Sequence, residues 1–168
     1  MAQYAVPISD GDVSDWNCST GTDRYRLIDD GVLPIDVDYI WRSSGAGIPV
    51  NTNDFQITNL TPLASTGWQL YIRARIESAG TVPLNVTLIS GGATVTGQSF
   101  SVTSTSFANF TYDLTPSECA AVTDWSDTHL IIESHGGGGV NIRVSSVYLK
   151  IPDSTNDTHN RMRMGVGK

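Results

Sequence analysis

Acidic side chains are the first residues here that could do chemistry, because aspartates cluster in three short stretches near the start of the sequence. The stretches hold Asp10, Asp12 and Asp15, then Asp29 and Asp30, then Asp36 and Asp38. Oxygen-rich loops of this kind can bind calcium. Aspartate is equally an ordinary turn residue, and the first cluster lacks the regular spacing and closing glutamate of an EF-hand loop. We therefore predict no metal site and leave calcium binding open.

The glutamates do not supply the pair of carboxylates that glycoside hydrolysis requires. The chain has three of them, Glu77, Glu118 and Glu133. Glu77 and Glu133 fall on outward positions of predicted strands, and Glu118 is accounted for by a helix cap. Nothing in the sequence pairs two of these side chains across a cleft.

Other catalytic and cofactor motifs are also lacking in the sequence. His129, His135 and His159 do not have the spacing of metal ligands, and no GxSxG motif marks a nucleophile. The glycine run 136–139 has no Lys or Ser/Thr in P-loop position, so it indicates a hairpin loop. The sequence therefore predicts no catalytic residue, no cofactor and no enzymatic activity.

Aromatic residues on strand positions offer a different chemistry, since a half-exposed ring can stack on the flat face of a sugar. The candidates are Trp41, Tyr71, Trp125 and Tyr148. Trp125, like Trp16 and Trp68, fits a core or corner position better, because tryptophan buries a large apolar area. Trp41 and Tyr71 remain as candidate glycan contacts.

Basic residues form two groups that could contact a partner. Arg73 and Arg75 share the outward face of a predicted strand with Tyr71, as either a protein-contact patch or a solvated face. The last ten residues carry a charge of +3, whereas residues 1–158 carry −10. This basic tip is either an interaction arm or a frayed terminus. Its charged side chains are Arg161, Arg163 and Lys168.

One short helix is predicted, together with its cap, between two strands. Thr115 supplies an N-cap, Pro116 fits the first helical position and Glu118 completes a capping box. The helix has room for about residues 117–122 before polar turn residues end it.

Strands make up the rest of the prediction. The clearest runs from Gly67 to Glu77, and its alternation demands one dry face and one wet face. Its inward residues are Trp68, Leu70, Ile72, Ala74 and Ile76. The other predicted strands cover residues 24–28, 38–42, 53–60, 82–90, 93–102, 108–114, 128–134 and 140–151. Gly91-Gly92 predicts a hairpin turn, and a β-bulge near Ser145–Ser146 would bring both halves of the last strand to the core side.

About eight strands with turn signals at short intervals predict an all-β fold, an antiparallel β-sandwich of the jelly-roll type with one short capped helix. We expect the domain to cover residues 8–152, after an N-terminal lead of residues 1–7 and before a C-terminal tail or arm of residues 153–168. Residues 1–23 are expected to be turn-rich, with Trp16 as their anchor.

Length, net charge and hydrophobic pattern limit the partners and the location that we expect for this protein. The 168 residues suit one domain, and a net charge of −7 repels a phosphate backbone, so we predict no nucleic-acid partner. No apolar run approaches the length of a membrane span and no signal peptide is recognisable, so we expect a protein made in a cytosol without a membrane partner. Cys18 and Cys119 permit one disulfide, although buried free thiols are favoured.

Five ordered segments resemble a jelly-roll domain family of tailed-bacteriophage virion proteins. The segments are DVSDWNCSTGTDRYRLIDD, IDVDYIW, GWQLYIRARIESAGTVPLNVTLISGGATV, FTYDLTPSECAAVTDWSDTHLIIES and NIRVSSVYLKIPD. The resemblance covers about residues 8–153, and LTPSECAAVTDWSD is its most specific part. The tail is not covered.

The resemblance implies a non-enzymatic virion structural protein. Its first implication is a capsid decoration (cement) protein on the head exterior, a homotrimer bound to the major capsid protein lattice after synthesis in the host cytoplasm. The alternative is a carbohydrate-binding or receptor-binding module of a tail fibre. In the first case we expect the arm at residues 155–168 to contribute to lattice attachment, since a basic segment can order on an acidic surface.

Overall fold

The computed structural model describes residues 1–29, 36–42, 51–134 and 139–153, which form eleven strands, one α-helix and two 3-10 turns. The strands are β1 (Gln3–Ala5), β2 (Pro7–Ser14), β3 (Asn17–Cys18), β4 (Ile40–Arg42), β5 (Asn51–Ile57), β6 (Gln69–Ile76), β7 (Val82–Ser90), β8 (Ala93–Val102), β9 (Ala108–Asp113), β10 (Thr128–Ser134) and β11 (Ile142–Ile151). Helix α1 spans Pro116–Ala121, and the 3-10 turns span Tyr25–Leu27 and Trp125–Asp127.

The strands form two antiparallel sheets. In the first sheet β3, β4, β11, β6 and β9 lie side by side in that order, and β1 pairs with the far end of β11. In the second sheet the order is β2, β5, β10, β7 and β8. The predicted all-β antiparallel sandwich is therefore confirmed, and the described residues hold more strands than the eight or so expected.

The core lies between the sheets and follows from period-2 alternation. Every second residue of β6, β7 and β10 is buried, which is the pattern expected of strands with one dry face. All five predicted inward residues of the strand that begins near Gly67 are buried, at 0–2% exposure. Trp16 is also fully buried, which confirms its predicted role as an anchor.

Strand β11 contains the predicted β-bulge. Its pairing with β6 shifts between Val144 and Ser146, and Ser145 and Ser146 are both buried. The extra residue changes the phase of the strand, so that Ile142 and Val147 both face the core. Gly91 and Gly92, with φ of 57° and 72°, form the predicted hairpin turn between β7 and β8.

The predicted strand at residues 24–28 is wrong, because Tyr25–Leu27 is a 3-10 turn. The carboxylate of Asp10 accepts hydrogen bonds from the backbone N–H groups of Arg24 (3.1 Å) and Tyr25 (2.9 Å). These bonds satisfy backbone donors at the start of the turn, as a helix cap does, while Leu27 is buried. One member of the first aspartate cluster is thus a structural residue.

The structure also differs from the predictions of a turn-rich segment at residues 1–23 and of a separate lead at residues 1–7. Residues 3–5 form β1 against β11, and residues 7–14 form β2 against β5. The pairing of β2 is interrupted by register shifts on both sides of Ser9 and Asp10. Edge strands tolerate such irregularity, which hides the alternation in the sequence.

Helix α1 begins as predicted. The Thr115 hydroxyl accepts a hydrogen bond from the Glu118 N–H at 3.3 Å, and the Glu118 carboxylate accepts one from the Thr115 N–H at 2.7 Å. Cys119 on this helix is a buried free thiol, and Cys18 is a half-buried free thiol. No helix in the described part of the chain is long and apolar enough to cross a membrane.

Candidate functional site

The outward face of β6 brings three predicted contact residues together. Tyr71, Arg73 and Arg75 alternate with buried residues, so all three side chains leave the sheet on the side away from the core. All three are half-buried, which means that neighbouring side chains pack against them.

Tyr71 stacks on Tyr148 of the neighbouring strand β11. The two residues are directly paired, their ring centroids are 4.4 Å apart and the ring planes differ by 17°. Tyr4 packs edge-on against Tyr148 at 5.5 Å, which leaves Tyr148 only 6% exposed. Burial raises the pKa of Tyr71 and raises that of Tyr148 to about 12. Tyr71 is therefore the half-exposed end of a fixed three-ring cluster.

On the side away from Tyr148, Tyr71 has a small, exposed neighbour. On the side away from Tyr148, Tyr71 pairs with Thr111 of β9, the last strand of the sheet. Thr111 is exposed, and its hydroxyl makes no hydrogen bond to any described residue. A short side chain on the outermost strand therefore borders the ring on this side.

Polar groups line this approach at one end. Gln69 lies one outward position before Tyr71, and its amide donates to the Asp113 carboxylate at 2.7 Å. The Lys150 ammonium donates to the Gln69 carbonyl oxygen at 3.4 Å. These cross-strand bonds hold the amide and the exposed carboxylate in place beside the ring.

An arginine held by an ion pair lines the other end. The Arg73 guanidinium forms a bidentate pair with Asp36, with both N–O distances at 2.7 Å, and donates to the Asn109 oxygen at 2.7 Å. The hydrogen bonds from Arg73 lower the pKa of Asp36. The Ser145 hydroxyl donates a further hydrogen bond to Asp36 that lowers this pKa as well. Asn109 is exposed and keeps its amide NH₂ group for other partners. We call the surface formed by Gln69, Tyr71, Arg73, Asn109, Thr111 and Asp113 the Tyr71 platform.

Arg75 lies further along β6 and is held by the loop before β9. Its guanidinium donates to the Thr105 carbonyl oxygen at 3.2 Å and sits 5.2 Å from the centroid of the Phe107 ring. Arg73 and Arg75 are therefore positioned by contacts within the chain and are not free cations on a solvated face.

Trp41 lies on the same outer sheet face as Tyr71, two strands away. It is half-buried and pairs with Arg143, which in turn pairs with Arg75. With about 3.3 Å per residue and about 4.8 Å between strands, the backbones of Trp41 and Tyr71 are roughly 16 Å apart. The two candidate glycan contacts therefore do not form one ring pair, although one extended ligand could reach both.

Several of the sequence-predicted residues lie outside the described residues. They are Asp30, His135, the glycines at 136–138, His159 and the tail with Arg161, Arg163 and Lys168. Trp125 packs against Trp68 at 5.5 Å between ring centroids, which confirms its assignment to a core corner. Among the described residues, no group of three or more His, Cys, Asp or Glu side chains is placed to hold a metal ion.

The sequence predicted the residues that β6 contributes to the Tyr71 platform, but not those that β9 contributes. The alternation of β6 places Gln69, Tyr71 and Arg73 on one face. The polar residues of β9, Asn109 and Thr111, also alternate in the sequence, but their pairing partners follow only from the strand order. Asp36 gave no signal beyond its place in an aspartate cluster.

Comparison with known proteins gives structural likenesses without a family. No family model matches the sequence, and no curated protein matches it. A family 16 carbohydrate-binding module covers 67% of this chain and 76% of its own, with 13% identity and a TM-score of 0.44. A family 61 module solved with β-1,4-galactotriose covers 83% of this chain and 90% of its own, with 11% identity and a TM-score of 0.39.

A bacteriophage protein is also among the similar structures. The enzymatically active domain of tailspike protein 4 from bacteriophage CBA120 covers 88% of this chain, with 12% identity and a TM-score of 0.46. This chain spans only 19% of that protein's length. At such identities and TM-scores these likenesses do not bear on function.

Proposed function

We propose that this domain is a non-catalytic carbohydrate-binding module and that the Tyr71 platform is its glycan site. The observation that carries the proposal is the half-exposed Tyr71 ring, backed by Tyr148 and open towards Thr111. An aromatic face offers the apolar contact that the C–H side of a sugar ring needs. Tyr148 and Tyr4 fix the ring in advance, which reduces the entropy lost on binding.

The polar groups of the platform suit sugar hydroxyls. The Asp113 carboxylate accepts hydrogen bonds, the Asn109 NH₂ group donates them and the Thr111 hydroxyl does both. A net charge of −7 disfavours strongly anionic polymers, so we propose a neutral glycan. The resemblance to phage virion domains supports a setting on a tail fibre, where the glycan would belong to the host surface.

Two variants test the platform from different directions. Tyr71→Ala removes the ring, and Thr111→Arg covers the ring from the neighbouring strand while Tyr71 itself stays unchanged. After a screen on a glycan array of bacterial surface polysaccharides, each should weaken binding of the best glycan by about tenfold or more, as measured by isothermal titration calorimetry. Tyr71→Phe is the matched control and should retain most of the affinity, because it keeps the stacking face.

Two results would overturn the proposal. One is that Tyr71→Ala and Thr111→Arg bind every array glycan as tightly as the unmodified protein. The other is that no glycan on the array binds at all. Far-ultraviolet circular dichroism on each variant separates loss of binding from loss of fold.

Attachment to a capsid lattice as a homotrimer stays a prediction. It rests on the resemblance to phage virion domains. Its predicted contacts are Tyr71, Arg73 and Arg75, whose two guanidinium groups are engaged within the chain, and Arg161, Arg163 and Lys168, which lie outside the described residues. Light scattering of the free protein, followed by co-sedimentation with empty capsids, tests it directly. The same capsids with a protein lacking residues 155–168 test the arm.

A further inference from the structure

A polar groove lies on the outer face of the second sheet, on the opposite side of the sandwich from the Tyr71 platform. Its volume is about 280 Å³, and strands β7, β8 and β10 contribute its lining. The lining residues are Asn85, Thr87, Gly97, Gln98, Ser99 and Glu133.

Gly97 in the middle of β8 leaves this groove open. It pairs with Thr87, and it is absent from the described glycines that have positive φ. A Cβ at Gly97 would come no closer than 3.5 Å to the Thr87 hydroxyl, which is an ordinary contact. Glycine inside a strand lowers stability, yet neither backbone nor packing requires it here. The missing side chain instead leaves room over the strand.

The groove lining has hydrogen-bonding groups without internal partners. The side chains of Asn85, Thr87 and Ser99 make no hydrogen bond to any described residue. Glu133 is paired with Asn85 across β10 and β7. Its carboxylate accepts one bond, from the Thr52 hydroxyl at 3.3 Å, and keeps its other oxygen for a ligand.

We propose that this groove is a second glycan-binding site, which takes a neutral oligosaccharide independently of the Tyr71 platform. The ligand class rests on the proposed function. Glu133, Asn85 and Ser99 lie in one row across three strands, and Thr87 lies in the next row beside Gly97. Their carboxylate, amide and hydroxyl groups match the vicinal hydroxyls of a sugar. Ile131, half-buried on the same face and paired with Thr87, offers an apolar contact for the C–H groups.

Two sites on opposite faces would make one domain bivalent. A bivalent module binds a polymer more tightly than either face alone, because the second contact becomes intramolecular or joins a second strand of the polymer. Wild-type protein should therefore cross-link a neutral polysaccharide, and loss of either face should abolish cross-linking.

Gly97→Val tests the groove with a variant that should not unfold. Valine fills the groove and suits a strand, so Tm should rise by about 1–4 °C while glycan binding at the groove is lost. Glu133→Gln removes the charge without filling the groove and should lower affinity by about tenfold. Tyr71→Ala serves as the matched variant on the other face.

The protein is titrated with neutral xylo-, gluco-, manno- and galacto-hexasaccharides, and binding is followed in ¹H–¹⁵N spectra. The signals of side-chain amides report each face of the domain separately. Asn85 reports the groove, and Gln69 and Asn109 report the platform. We expect Asn85 to shift in the unmodified protein and in Tyr71→Ala, and to stay still in Gly97→Val. Shifts at Gln69 and Asn109 alone would overturn the groove and leave the platform standing.

The other outcomes are equally decisive. A shift at Asn85 alone would support the groove and count against the platform. No shift with any hexasaccharide would overturn the groove. A fall in Tm for Gly97→Val would show that packing requires glycine there, and would remove the main support for the proposal.

Discussion

The Asp54 side chain occupies the space that a side chain on Gly11 would need. A Cβ added to Gly11 would lie 2.9 Å from the Asp54 Cβ and closer still to the Asp54 carboxyl group. The same carboxylate contacts His129 Nδ1 at 2.9 Å. Three strands, β2, β5 and β10, are thus joined at one point by a glycine, a carboxylate and an imidazole.

Gly11→Ala should therefore destabilise the domain by about 1–3 kcal/mol, because overpacking forces Asp54 away from its position. Urea unfolding followed by circular dichroism measures the change. Gly97→Ala is the matched control, since a Cβ there meets only an ordinary contact, and it should be neutral or stabilising. Equal stability of Gly11→Ala and the unmodified protein would contradict the prediction.

The capping box of α1 predicts a second effect on stability. Thr115→Ala removes the acceptor for the Glu118 N–H and should cost about 1 kcal/mol of unfolding free energy. Thr123→Ala, an exposed threonine beyond the helix, should change little. A comparable loss in both variants would show that the cap is not the cause.

The ion pair between Asp36 and Arg73 predicts acid sensitivity. Hydrogen bonds from Arg73 lower the pKa of Asp36 in the folded protein below the value of about 3.9 expected when unfolded. The stabilisation is therefore present above about pH 4 and is lost as pH falls through the folded pKa. Asp36→Asn and Arg73→Gln should each flatten the fall in unfolding free energy below about pH 4.

Arg75→Gln is the control for that measurement, because Arg75 donates to a backbone carbonyl and not to the carboxylate. It should leave most of the acid dependence in place. An unchanged acid slope in Asp36→Asn would mean that the ion pair does not contribute to stability.

The raised pKa of Tyr148 predicts that the domain loses stability as pH rises into the alkaline range. Burial, and then the nearby Tyr71 and Tyr4, raise its pKa to about 12. The folded state therefore holds this proton more tightly than the unfolded state, whose tyrosine pKa is about 10. Stability from this group is complete below about pH 10 and is lost as pH rises towards about 12.

Phenolate absorbance at 295 nm during a pH titration checks this prediction. Tyr148→Phe should remove the last tyrosine to ionise and should reduce the loss of stability between about pH 10 and 12. An exposed tyrosine would ionise near pH 10, so early titration of Tyr148 would contradict the packing described here.

Local patterns in the sequence predicted much of the fold. The alternation in β6, the β-bulge at Ser145–Ser146, the glycine turn of β7 and β8 and the capping box of α1 are all confirmed. Each depends on residues close together in the sequence, where side-chain direction and hydrogen bonding follow from local geometry. The 3-10 turn at Tyr25–Leu27 was missed because its cap, Asp10, lies on another element.

What the sequence determined by itself is which side chains face inwards, because strand periodicity fixes the face of each residue once the strand is known. Tyr71, Arg73 and Arg75 were therefore correctly placed on an outward face. Tertiary structure alone decided what lies beside them: Tyr148 is 77 positions from Tyr71, and Asp36 is 37 from Arg73. Such neighbours depend on strand order and register, which arise when both sheets bury their dry faces together. The same pairing decided that Gly97 would open a groove, since its effect depends on Thr87 and Glu133 from two other strands.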